Sequence, residues 1–572
     1  MMFAMLMWLA CGQVYRPVVI PCSTGGVPGC PVETPPTPAN FHSILGISTT
    51  IPNYPGGAMQ IDVSGDSIVG ETPTFDPSKP NLGDNPTNLA ILPNHSRVYA
   101  ASAGSLLPGG LDVVSWFTPV FQSTLGTGLG TVGTIALPTG SEPVFLNTTQ
   151  NTALFVANFG TNSVSSINTA TNVLTNSTAV GANPVSIAEM PNALKLYVAN
   201  QGSNTVSSLN AVDLSANTLT GFTGVTPVWV VARGDNQKVY VVSQGDGQLW
   251  TIDTATDTVT SSISVGAGAN FIFYDPNLNR LYVTNPVTAM VYVFAATGGA
   301  NDTPSQLAVI PFTAGSIACP TTTACTPASV TALLDGSRFY VASYQISAAC
   351  PDPNLAGSGC VIPELTVFNA NSLTLQYPTA PSLTLLTWPP FATNQYGVPP
   401  VGTCAPAGVY SPSPSSTRFR VFTVASVDST RVYVSICDAG VVAVIDTTDS
   451  NTNNSGEPIQ PDTLVADLAA PSELCTQASC ITNAAITAFS ITSNVVTFQA
   501  TNAFVPGQSV QISGLTTGTY FDGLTLTVLA TGLSGTQFEC YFTSTNVGLT
   551  SDSGTAVPSS PTQTPIFLIT GQ

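Results

Sequence analysis

One short pattern recurs seven times along this chain: a turn, a basic or small residue, two apolar positions of which the second is aromatic, then a β-branched or small residue. The copies are Arg97-Val98-Tyr99-Ala100, Ala153-Leu154-Phe155-Val156, Lys195-Leu196-Tyr197-Val198, Lys238-Val239-Tyr240-Val241, Arg280-Leu281-Tyr282-Val283, Arg338-Phe339-Tyr340-Val341 and Arg431-Val432-Tyr433-Val434. From Phe155 to Tyr282 the aromatic returns every 42 or 43 residues. A period of about 40 to 45 residues in a strand-rich chain is that of propeller blades.

Each period carries four strand signals. Around Tyr240, Pro227 to Val231 is an apolar run, and the turn Gly234-Asp235-Asn236-Gln237 leads into Lys238 to Ser243. After Gly245-Asp246-Gly247 come Leu249 to Asp253 and then Thr258 to Ile263. Runs of β-branched and aromatic residues bounded by Gly, Pro, Asn and Asp read as antiparallel strands joined by tight turns. No comparable stretch has helical periodicity. The expected fold is all-β, a propeller of seven recognisable four-stranded blades.

The units resemble the bacterial and archaeal surface-protein propellers named for a Tyr-Val-Thr-Asn repeat. Tyr282-Val283-Thr284-Asn285 spells that motif, and Tyr197-Val198-Ala199-Asn200, Phe155-Val156-Ala157-Asn158 and Leu334-Asp335-Gly336-Ser337-Arg338 are close to the pattern. The resemblance spans residues 86–470. It implies a scaffold and no catalytic motif, because the family shares none. The sixth and seventh units are interrupted by Pro- and Cys-rich insertions, Ile346 to Pro363 and Pro389 to Thr417, the kind of loop on which ligand surfaces are built.

An eighth blade is expected from both ends of the chain. Phe41 to Ser48, Met59 to Val63 and Ser67 to Val69 read as its second to fourth strands, and Pro565 to Ile569 as its innermost. The alternative is a seven-bladed ring with these pieces on its rim. Between residue 470 and the closing segment the repeat is lost, and Ile486 to Thr555 alternates as short strands separated by Pro506-Gly507, Gly518 and Gly532. This pattern fits a small β-sandwich or barrel. The organisation is thus 1–11 signal, 12–40 Pro/Gly-rich tether, 41–481 propeller, 482–557 small β domain and 558–572 closing segment.

Charged residues make up only 7% of the chain and the formal net charge is -19, with three lysines in all. Such a chain lacks the basic footprint for nucleic acid or an anionic membrane surface. Six of the eleven Lys and Arg residues occupy one repeat position, just before the apolar pair, where they are expected to hold the turn between the first two strands. The apolar Met1 to Ala10 ends in Leu9-Ala10-Cys11-Gly12, which resembles the lipobox of bacterial lipoproteins with Cys11 as the acylated residue. No basic n-region precedes it, and ten residues are too few to span a bilayer. Export to the outer membrane, cell surface, periplasm or exterior is the expectation, with membrane attachment only through a lipid.

Cysteine usage fits an oxidising compartment. Cys22 and Cys30, Cys319 and Cys325, Cys350 and Cys360, Cys404 and Cys437, and Cys475 and Cys480 are disulfide candidates, with Cys540 left over. Metal ligation by these cysteines is a poor fit without Cys-x2-Cys spacing and with only His42 and His95. The best cation candidate is calcium held by Asp449, Asn451, Asn453 and Glu457 in an oxygen-rich loop; no other cofactor is expected.

Gly128 to Gly133 fits G-x-G-x-x-G but leads into a strand, not a helix. No histidine neighbours a nucleophile, Glu142, Glu189, Glu364 and Glu473 share no repeat phase, and Trp116, Trp229 and Trp250 suit core packing better than sugar stacking. The favoured reading is an exported, lipid-anchored propeller that binds a protein or glycan of the cell envelope. The alternative is a lyase- or lactonase-like propeller enzyme with a metal in its central channel.

Overall fold

The computed structural model describes residues 42–49, 57–71, 83, 85–104, 111–119, 132–296, 303–347, 360–377, 382–385, 404, 419–448, 462–469, 483–502, 504, 509–529, 532–558 and 564–571. Eight four-stranded antiparallel sheets and one six-stranded sheet make up the fold. Seven of the four-stranded sheets are continuous in sequence: blades 2 (86–136), 3 (143–179), 4 (184–217), 5 (227–264), 6 (271–311), 7 (326–384) and 8 (421–469). Tight turns are made by residues that tolerate the left-handed region, among them Asn162, Asn172, Asn204, Asn236, Asp257 and Asn279. Asp253 Oδ1 accepts the amides of Ala255 and Thr256, and Asn168 Oδ1 those of Ala170 and Thr171, so each side chain builds its own turn.

Blade 1 comes from both ends of the chain. Ser43–Thr49, Gly57–Asp62 and Ser67–Glu71 are its outer three strands, and Thr564–Thr570 pairs with the first of them as the innermost. The Gly571 amide donates to the Ser43 carbonyl at 2.8 Å. The closing strand packs against the innermost strands of blades 8 and 2, which completes the cycle of eight. Joining first and last segments in one sheet leaves no open blade edge between the chain ends.

The repeat aromatics, Tyr99, Phe155, Tyr197, Tyr240, Tyr282, Tyr340 and Tyr433, are fully buried. The repeat cations do less for their own first turn than expected: Arg431 donates to the Thr430 carbonyl there at 2.9 Å, and the others are engaged elsewhere. They reach forward to the next blade, to the carbonyl that follows its third strand: Arg97 to Thr169, Lys195 to Thr254 (2.7 Å), Arg280 to Ala370 and Arg338 to Thr447 (2.6 Å). In blade 5 Arg233 takes this part, reaching Ala296, while Lys238 pairs with Asp253 of its own blade. A carboxylate of the next blade completes several of these clasps. Asp257 accepts from Lys195 and Tyr197, Asp462 from Arg338 (2.8 Å) and Tyr340 (2.6 Å), and Asp66 from Arg431 (2.9 Å). Charged donors and buried hydroxyls need such partners once water is excluded.

The six-stranded sheet lies in sequence between blade 8 and the closing strand. Its order is Thr525–Thr527, Ser509–Ser513, Val547–Pro558, Ala484–Thr492, Val495–Ala500 and Gln537–Tyr541. A bridge from Val528 to Cys540 draws the two edges together, so the sheet is a nearly closed barrel around Phe489, Phe498, Phe521 and Phe538. Cys540 is buried in this core, which pushes its thiol pKa up to about 12. The first blade insertion differs from a plain loop: Arg338–Ser347 and Cys360–Asn369 each run to ten residues and stay paired as far as Ser347 and Cys360.

Candidate functional site

The innermost strands share one register position, opposite the residue two places after the repeat aromatic. Around the ring it holds Asn88, Phe145, Ser186, Trp229, Phe271, Ser329 and Phe422. The polar members tie neighbouring blades. Asn88 Oδ1 accepts the Leu146 amide (2.9 Å), Ser186 Oγ that of Val230 (3.3 Å) and Ser329 Oγ that of Thr423 (3.0 Å).

The aromatic members meet one another. Trp229 of blade 5 contacts Phe145 of blade 3 at 5.4 Å, Phe271 of blade 6 at 5.0 Å and Phe419, just ahead of blade 8, at 5.8 Å between ring centroids. Phe422 touches Phe419 at 4.9 Å and Phe567 of blade 1 at 4.6 Å. Blades 3, 5 and 8 are not neighbours round the ring, so these rings meet across its lumen. Edge-to-face pairs predominate, the preferred arrangement of aromatic quadrupoles. The lumen is therefore plugged by apolar rings. Trp229→Ala is expected to cost about 3–5 kcal/mol in urea unfolding, the range for emptying a buried aromatic site; a loss below about 1 kcal/mol would mean that the ring does not depend on the plug.

Antiparallel pairing within each blade fixes which connections share a face. Connections between second and third strands, and from each fourth strand to the next blade, lie together; those between first and second, and third and fourth, lie on the opposite face. The insertion between Ser347 and Cys360 is a second-to-third connection. The one containing Pro389 to Thr417 and the six-stranded sheet both follow fourth strands. All three leave from one face, while Ser43 and Gly571 lie together at the other.

The insertion-bearing face is stiffened. Cys319 and Cys325 are bonded in the connection between blades 6 and 7, and Cys404 is bonded to Cys437 beside the second strand of blade 8. Close by, the Cys437 amide donates to the Arg420 carbonyl, Arg420 pairs with buried Asp438 at 2.8 Å, and its guanidinium covers the Tyr344 ring at 5.4 Å. Phe419, at the end of the same insertion, enters the plug. The chain is thus bolted down just before and just within blade 8.

The other sequence candidates fare differently. Cys11, Cys22, Cys30, Cys350, Cys475, Cys480, Glu473, Asp449, Asn451, Asn453 and Glu457 lie outside the described residues, and of Cys360 the structure describes the backbone alone. Glu189 takes the Thr149 amide and the Gln150 side chain at 2.5 Å each; burial raises its pKa despite these donors. Glu364 accepts from Gln345 at 2.7 Å and is likewise raised by burial. These carboxylates and Glu142 belong to blades 7, 4 and 3 and do not converge. Among the described residues no group of three or more His, Cys, Asp and Glu comes together.

The three tryptophans among the described residues are engaged in packing. Trp229 is in the plug, Trp250 donates to Ser243 Oγ at 2.7 Å, and Trp116 lies under the Arg97 guanidinium at 4.9 Å. The motif asparagines are structural too. Asn200 Nδ2 donates to Thr205 and Ser207, and Asn285 Oδ1 accepts the amides of Val287 and Thr288. Trp229 was read as core, but the meeting of these rings across the lumen escaped the sequence reading; the common signal was the position two residues beyond the proline that opens several of the innermost strands, seen in Phe145, Trp229 and Phe567.

No protein-family model and no curated protein matches the chain. Solved structures do. The β-propeller domain of Cps50 (Swd1) from Myceliophteria thermophila is 9% identical with a TM-score of 0.43, over 64% of this chain and 96% of that one. A candidate 6-phosphogluconolactonase from Bacteroides fragilis NCTC 9343 is 12% identical with a TM-score of 0.40, over 77% and 98%. A functionally unknown protein from Desulfotomaculum acetoxidans is 12% identical with a TM-score of 0.40, over 59% and 96%. At such identities and scores they add nothing to the architecture already read from the sheets.

Proposed function

We propose that this chain is an exported, non-catalytic propeller scaffold that binds a protein or glycan of the cell envelope through its insertion-bearing face. The observation that carries the reading is the division of labour between faces: both insertions and the six-stranded sheet leave from one, and Ser43 and Gly571 meet at the other. A tether acylated at Cys11 would then hold the ring by its plain face and turn the insertions outward. Disulfides near the insertions limit the ordering entropy that binding would otherwise cost. The enzyme alternative places a metal in the channel, where this chain has packed aromatic rings.

Deleting residues 348–359 and 389–417 together, with Cys360→Ala and Cys437→Ala to avoid stray thiols, is the test. Binding to envelope fractions is expected to fall at least tenfold, about 1.4 kcal/mol, with a cooperative thermal transition retained but lowered by loss of the Cys404–Cys437 bond. Undiminished binding by the folded variant would move the site elsewhere.

A further inference from the structure

The chain has 25 Phe, 16 Tyr and 5 Trp. Among the described residues only two of these rings are exposed, Tyr520 at 46% and Tyr541 at 48%, and both belong to the barrel-like sheet that leaves the insertion-bearing face. Among the described residues the propeller's aromatics are buried or half-buried, and the smaller unit shows two to solvent. A single exposed ring is ordinary on a protein surface; what sets Tyr520 apart is its rigid backing and its setting.

Tyr520 is a firmly backed surface. Its ring stacks on Phe542 (centroids 5.7 Å apart, planes 20° apart), and Phe521 supports it at 4.5 Å. The loop leading to it is pinned by Asp552, whose carboxylate accepts the amides of Thr516 at 2.7 Å, Thr517 at 3.0 Å and Gly518 at 2.7 Å. Exposed Thr516, Thr517 and Thr519 precede the ring. Residues 482–558 contain no Lys, Arg or His, and their acids are Asp522, Glu539 and Asp552 alone. Such a unit has nothing with which to neutralise a phosphate, sulfate or uronate.

We propose that Tyr520 is the stacking surface of a site for a neutral glycan. The C–H face of a pyranose is apolar and lies flat on an aromatic plane, while its hydroxyls can exchange hydrogen bonds with the threonines beside the ring. A single rigid ring among hydroxyl groups matches a sugar better than a protein, because a stable protein interface needs about 800 Å² from each partner. This rests on the binding role proposed above and names the ligand class for one part of that face.

The test uses the full chain in affinity gels containing a neutral glucan, mannan or xylan, with alginate and polygalacturonate as acidic controls. At least one neutral polymer should retard the protein. Tyr520→Ala should weaken retardation tenfold or more at an unchanged melting temperature, and Tyr520→Trp should restore it. No retardation by any neutral polymer, equal retardation by the acidic ones, or an unaffected Tyr520→Ala variant would overturn the proposal. If Tyr520→Ala leaves both gel retardation and binding to envelope fractions intact while the insertion deletion abolishes the latter, this site is refuted and the broader binding reading stands. Loss of binding to a deglycosylated, protein-only envelope fraction in Tyr520→Ala would assign the ring to a protein partner and also refute the glycan.

Discussion

Removing residues 564–572 is expected to abolish cooperative folding of the ring. The strand brings buried Ile566 and Leu568 and half-buried Phe567 into the gap between blades 8 and 2. At roughly 1.5–3 kcal/mol for each large apolar side chain, with a further cost for the cavity left behind, the loss is comparable to the whole net stability of a typical domain, about 5–15 kcal/mol. The truncated chain also exposes Ser43–Thr49 as an unpaired edge, which favours aggregation. The measurement is soluble yield and a thermal melt. A permuted chain with residues 564–571 placed before Ser43 by a short linker should fold, because Gly571 and Ser43 already touch. A truncated protein that melts within a few degrees of the full chain would show that the ring closes without this strand.

Asp462→Ala is expected to be nearly as damaging. Asp462 accepts from Arg338 at 2.8 Å, Tyr340 at 2.6 Å and Tyr377 at 2.8 Å, and the ion pair is buried, with 9% of the Arg338 side chain and 1% of the Asp462 side chain exposed. Alanine leaves the guanidinium and two hydroxyls without this acceptor, and breaking a buried pair from one side costs about 3–5 kcal/mol. Burial raises the pKa of Asp462, outweighing the Arg338 charge and the hydrogen bonds that lower it. Arg338→Met combined with Asp462→Leu should be milder than Asp462→Ala, since the pair is removed together. Urea denaturation decides: a double variant worse than the single one would mean that the pair stabilises the ring beyond the cost of its own burial.

These two expectations mark where the sequence was legible. The blades were, because Tyr, Val and Ile alternate between Asn, Asp and Gly turns, and the period carries over from Phe155 to Tyr282. The closing strand was legible as well, since Pro565-Ile566-Phe567 repeats the opening of blades 3 and 5, Pro143-Val144-Phe145 and Pro227-Val228-Trp229. The clasps were not. Lys195 meets Asp257 62 residues on and Arg338 meets Asp462 124 residues on, distances over which proximity in the chain says nothing. The cations were therefore assigned to the turn nearest in sequence. The plug was hidden for another reason: its register position holds Asn88, Ser186 and Ser329 as well as four aromatics, and only the closed ring brings blades 3, 5 and 8 into contact. Tyr520 was hidden because a strand-rich stretch makes every aromatic look like core, and only its exposure sets it apart.

The claim that one face of the ring binds is tested most directly by photo-crosslinking from both faces. Ile317, 75% exposed, lies in the connection between blades 6 and 7 on the insertion-bearing face; Val212, 83% exposed, lies beyond the third strand of blade 4 on the other. A photoreactive residue placed at either site should leave the fold unchanged, since neither side chain is packed. Crosslinks to envelope material from position 317 and none from position 212 are the predicted result. Crosslinks from position 212 alone would contradict the account.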